Sequence, residues 1–195
     1  LPDYTSKIVD TGIQQGGIES PLPETLRSST LNALSLLMSE EDAAAFENAY
    51  TLGSDDIYTL RSDLTDDERT ALESAVTTPD IVLYMAAAQN ASAAASTEET
   101  VTPTSDDLDA VCAQFAAMTQ MPGFSREVVQ QQLASAMEQI DETTLSSMAS
   151  QAALLVSLEY EAQGVAHDVQ MRYLYRVGGQ MLGLTLLMVA VAILV

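Results

Sequence analysis

The sequence predicts an all-α fold: a multi-helix acidic domain followed by a single C-terminal transmembrane helix. Three observations predict it. Apolar residues recur at three- and four-residue steps through most of the chain, which gathers them on one helical face. Short Ser/Thr/Asp-led acidic clusters precede many of these runs, as N-caps and first-turn acids do. Finally, Val177–Val195 is a 19-residue run without a charge, in which Gln180 and Thr185 are the only polar side chains. A helix rises about 1.5 Å per residue, so roughly 20 apolar residues cross a hydrocarbon layer about 30 Å thick.

Taken in order, residues 1–22 mix Gly12, Gly16 and Gly17 with Pro2 and Pro21 and read as an extended arm lying over the domain. An N-terminal helical unit follows over 23–96. Its first stripe is Leu26, Thr30, Ala33, Leu34, Leu37 and Met38. Ser39-Glu-Glu-Asp42 caps a second helix that buries Ala43, Phe46, Ala49 and Tyr50 and stops at Gly53. Ser54-Asp-Asp opens a third, short segment with Ile57, Tyr58, Leu60 and Leu64, read as capped helix. Thr65-Asp-Asp-Glu68 is a capping box leading to Leu72, Ala75 and Val76, with Pro79 as the stop. Ile81–Tyr84 has strand-like composition, but no partner strand is visible, so it is assigned to helix.

Residues 97–104, Thr-rich and broken by Pro103, form a linker. The C-terminal helical unit then spans 105–176. Leu108, Val111, Cys112, Phe115, Ala116 and Met118 line its first helix, and Met121-Pro-Gly123 ends it. Ser125 caps the next, with Val128, Val129, Leu133, Ala136, Met137 and Ile140 inward. From Thr143 onward no proline occurs, and one long helix, or two collinear ones, is expected to feed into the apolar run 177–195. Arg172, Tyr173, Tyr175 and Arg176 precede that run as a basic and aromatic collar suited to a membrane interface. The two arginines weakly favour a cytoplasmic or interior acidic domain by the positive-inside rule. Because the chain starts at Leu1 and ends within the apolar run, both ends are expected to be processed or continued.

Charge bounds the partners. Seven Lys+Arg face 28 Asp+Glu, a net charge of −21, and Lys7 is the only lysine. Such acid-rich, lysine-poor chains resemble proteins of salt-accumulating halophiles, including archaeal ones. At about 1 M salt the Debye length falls to roughly 3 Å, so a carpet of carboxylates scarcely repels itself. Without a basic patch outside the collar, nucleic acid is excluded as a partner.

No catalytic motif stands out. The acidic clusters at Asp55-Asp56 and Asp66-Asp67-Glu68 lack the alternation and glycine of a calcium loop, and read as caps. His167 is the only histidine; a metal site would need it beside Glu159, Glu161 or Asp168, and the plainer reading is a surface histidine. Cys112 alone excludes an intrachain disulfide and reads as a small core residue. Asn90-Ala-Ser92 fits a glycosylation sequon. Gly179-x-x-x-Gly183, with Gln180 beside it, places two missing side chains on one helix face where another helix could approach closely. No catalytic, cofactor or metal residue is assigned.

The expected protein is therefore a non-enzymatic, membrane-anchored structural subunit of a larger halophilic assembly, a cell-envelope complex or a virion tethering lipid to a shell. Its expected partners are membrane lipid and other protein subunits. The alternative is an accessory subunit of a multi-chain membrane enzyme whose cofactors sit in other chains.

Overall fold

A computed structural model describes residues 17–53, 55–95, 102–137 and 142–194; the side chains at 94–95, 136–137, 142–150 and 186–194 lie outside the description. In chain order the elements are β1 (Thr25–Arg27), α1 (Ser28–Leu37), α2 (Glu40–Asn48), β2 (Tyr50–Leu52), β3 (Ile57–Leu60), α3 (Asp66–Ala95), α4 (Ser105–Thr119), α5 (Arg126–Met137), α6 (Glu142–Ala162) and α7 (Ala166–Leu194).

The fold is mostly helical but not all-α. The three short strands form an antiparallel sheet in the order β1-β3-β2, with Leu26 opposite Tyr58 and Tyr50 opposite Leu60. The segment expected to be a third capped helix is the β2–β3 hairpin. Asp55 and Asp56 take φ of 60° and 57° at its turn, and the Gly53 N–H donates to the Ile57 carbonyl at 2.8 Å. Short polar side chains tolerate that left-handed conformation, and two consecutive positive φ values match the twist of a hairpin. Asp55 and Asp56 thus serve a turn where the sequence reads equally well as a helix cap.

Other local signals hold. Ser39 accepts from the Asp42 N–H at 3.0 Å at the start of α2. Thr65 and Glu68 form the reciprocal capping box at the start of α3, at 2.8 and 3.2 Å. Pro79 does not stop α3, which runs through it for 30 residues. The buried face continues across the proline through Val76, Ile81, Leu83, Ala87 and Ala91, and packing against α4 and α6 outweighs the lost backbone hydrogen bond. Ile81–Tyr84 is helical.

One core cluster joins α1–α4 and α6, holding Leu26, Leu34, Phe46, Val76, Leu83, Leu108 and Leu155. Phe46 meets Tyr50 edge to face at 5.1 Å, and the Tyr50 hydroxyl donates to the Pro23 carbonyl at 2.6 Å. Side chains from both sides of the expected linker share this cluster. A smaller cluster unites Ile18, Ala153, Val156 and Tyr160 with the start of α7. α5 lies more loosely: Val128, expected inward, is exposed, and Val129 and Leu133 are half-buried.

Of the two forms expected from 143 onward, one long helix or two nearly collinear ones, the chain takes two helices: α6 and α7 are separated at Gly164, whose φ is +74°. There the Val165 N–H bonds the Tyr160 carbonyl and the Gly164 N–H bonds that of Glu161, both at 2.9 Å. That is a Schellman closure, which needs a left-handed residue and so uses glycine.

The correction at this end concerns the membrane. Among the described residues no helix is long and apolar enough to cross one. α7 has 29 residues, but its first part carries His167, Asp168, Arg172 and Arg176. The described side chains of its apolar part run only from Val177 to Thr185, a span of about 14 Å at the helical rise, less than half a hydrocarbon layer. The rest of the expected run, 186–195, lies outside the described side chains. The C-terminal transmembrane helix and the single-pass membrane localisation therefore do not stand, and lipid contact was inferred only through that span.

Candidate functional site

The collar residues do not form one outward-facing set. Tyr173 turns inward and is buried, and a Cβ on Gly17 would sit 2.8 Å from the Tyr173 Cβ. Arg176 pairs with Glu19 and its guanidinium lies 5.4 Å from the Tyr173 ring centre. Tyr175 faces out at 74% exposure, and Arg172 is exposed. The segment from Gly17 to Glu24 thus occupies the face that a membrane interface would have taken. Of the arm expected over residues 1–22, residues 1–16 lie outside the description.

Beyond Val177 the character of α7 changes. Gly178, Gly179 and Gly183 would each carry a Cβ into open space, with no described atom within 4 Å. Gln180 is exposed, Leu182 is 61% exposed, and Leu184 also faces out. Among the described residues, the Gly179/Gly183 face therefore meets no partner from another element.

The most organised polar site lies elsewhere, and the sequence reading missed it. Glu159 of α6 is 1% exposed and accepts hydrogen bonds from four sources. These are the Arg27 backbone N–H at 2.7 Å, the Arg27 guanidinium at 3.2 to 3.3 Å, the Thr30 hydroxyl at 2.6 Å and the Gln163 amide at 2.9 Å. Arg27 also reaches Asp109 of α4 at 2.6 Å, so one guanidinium links β1 to two helices. Burial works against its charge, but the two carboxylates prevail and its pKa is raised. The signal in the sequence was Glu159 itself: it shares the 3.6-residue face of Ala152, Leu155 and Val156, and an acid on an apolar stripe requires a partner.

Cys112 is buried beside Thr30, and burial pushes its thiol up to about 11. At neutral pH it is a thiol rather than a nucleophilic thiolate. A cleft of about 480 Å³ is lined by Arg27, Asp109, Cys112, Arg126 and Glu47 among others. His167, Glu161 and Asp168 are exposed on α6 and α7 while Glu159 is committed to Arg27. Among the described residues no group of three or more His, Cys, Asp or Glu is placed to hold a metal ion.

No family model, curated protein or solved structure matches this chain.

The polar hub satisfies itself: each carboxylate oxygen of Glu159 meets donors, and the guanidinium is held from two sides. Its chemistry is that of a clamp holding β1, α4 and α6 in register. Large apolar side chains are exposed at the far end of α7, at the α4–α5 turn (Met118, Met121 and Val128), at Leu52 of β2 and at Met85 of α3.

Proposed function

We propose that the protein is a non-enzymatic structural subunit of a larger protein assembly that works at high salt, and that it self-associates through the far end of α7. The observation that carries this reading is the Gly179/Gly183 face, open to its surroundings and flanked by exposed Leu182 and Leu184. Two missing side chains four residues apart let a second helix approach until backbones touch. Such a face is self-complementary, as a two-fold interface between identical chains requires. Exposed leucines at the same end add apolar area that a neighbouring helix would cover.

The high-salt setting draws its support from the acids. Those at Glu40, Glu41, Asp42, Asp66, Asp67 and Glu68, in the first turns of α2 and α3, are all exposed, as are Asp55 and Asp56 at the hairpin turn. They combine capping with a hydrated, like-charged surface that needs screening.

A photo-crosslinking residue at Leu182, in the purified chain at molar salt, tests the reading. It is expected to join two copies, whereas the same group at exposed Asp66 is not. Equal yields at both positions, or none at Leu182, would count against self-association through α7.

A further inference from the structure

The chain spends its scarce cations unevenly. Of its six arginines, Arg69, Arg172 and Arg176 line one cleft of about 300 Å³, formed where the Gly17–Glu24 segment crosses α7 beside the start of α3. In a molecule with 28 acids, guanidinium groups gathered this way would be expected to be consumed by carboxylates. Only one is. Arg176 is tied to Glu19, while Arg69 and Arg172 make no ion pair and no side-chain hydrogen bond among the described residues. Glu24 also lines the cleft, yet forms no ion pair with either.

A second observation points the same way. Tyr160, buried at the cleft, accepts the Glu24 backbone N–H at 2.9 Å with its hydroxyl oxygen. That leaves the hydroxyl hydrogen free to donate. Two unspent guanidinium groups and an O–H donor thus line one space of about 300 Å³. Guanidinium forks match the paired oxygens of tetrahedral oxyanions.

We infer that this cleft binds a phosphate-class oxyanion, held by Arg69 and Arg172 with Tyr160 donating a further hydrogen bond. Because Arg69 belongs to α3 and Arg172 to α7, the bound anion joins these two helices. The anion is either free phosphate or the phosphoryl group of a larger molecule; the recognition chemistry is the same.

The test is ³¹P line broadening of inorganic phosphate by the purified full chain, in molar potassium chloride at fixed ionic strength. Broadening that saturates is expected, with a thermal midpoint that rises as phosphate is added. Arg172→Gln, an exposed position whose change spares the core, should weaken the apparent affinity about tenfold or more, as loss of a charge-assisted contact does. Adding Arg69→Gln should abolish binding, and Arg61→Gln, at a surface pair with Asp63, should leave it intact. Displacement of phosphate by glycerol phosphate would place the phosphoryl group of a larger molecule in the cleft, and its failure to displace would identify free phosphate. No saturable broadening, or equal broadening by Arg172→Gln and the native chain, would overturn the inference.

Discussion

Two buried carboxyl groups show opposite solutions to the same physical problem. Glu159 is surrounded by donors, so removing it leaves the half-buried Arg27 guanidinium with Asp109 alone and strands the Thr30 hydroxyl. Breaking a buried pair from one side typically costs about 3–5 kcal/mol, and Glu159→Ala should lose that much in urea denaturation at constant molar salt. A loss below about 1 kcal/mol would show that the clamp contributes little. Asp80 of α3 is fully buried, and neither carboxyl oxygen has a hydrogen-bond partner among the described residues. Burial raises its pKa well above the ordinary carboxylate value. The native state therefore holds a proton that the unfolded chain releases, and stability falls as pH rises from about 4 toward the native pKa, by up to about 1.4 kcal/mol per unit. Asp80→Asn should remove that slope, so its stability advantage over the native chain widens with pH across the window. Parallel stability curves for the two proteins would contradict it. Neither group stood out as a site in the sequence, since each looks like one more acid among 28. Only their place on apolar faces, Glu159 with Leu155 and Asp80 beside Ile81 and Leu83, distinguishes them.

Helix interiors and caps were legible because periodicity and capping chemistry act within a few residues. The α2 cap, the Thr65 box and the helical state of Ile81–Tyr84 were all readable on that basis. What escaped depends on distant partners. The hairpin strands have three and four residues, and β1 pairs with β3 across two intervening helices, so no local pattern reveals the sheet. Pro79 was over-read as a stop because burial on both sides of it cannot be seen locally. The α6–α7 break needed the left-handed geometry of Gly164, one glycine among nine. Two glycine replacements separate conformation from crowding. Gly164→Ala meets open space, so it should cost only the backbone penalty of about 1 kcal/mol. Gly17→Ala combines a φ of +82° with a Cβ 2.8 Å from Tyr173 and 3.1 Å from the Gln170 backbone, and should cost clearly more. Thermal melts of the two variants check the order; equal losses would mean that the segment moves freely over α7.

At the scale of the whole molecule, charge and the end of α7 set the behaviour. A chain of net charge −21 repels itself as salt is removed, so helical circular dichroism should fall on dialysis from molar to millimolar salt. An unchanged melting curve would refute the high-salt adaptation. The 19-residue apolar run dominated the sequence reading, yet the fold commits Tyr173, Arg176 and Val177 to contacts around the Gly17–Glu24 segment and the body of the domain. What then remains on α7 for an interaction surface is the glycine face beyond them. Its role is tested most directly by the absolute mass of the purified chain in molar potassium chloride, measured by light scattering behind size exclusion. The native chain should elute at a whole multiple of its chain mass, and Gly179→Leu with Gly183→Leu should return it to a single chain with its helical spectrum intact. A native chain that stays single at every concentration, or a double variant that keeps the same multiple, would contradict assembly through α7.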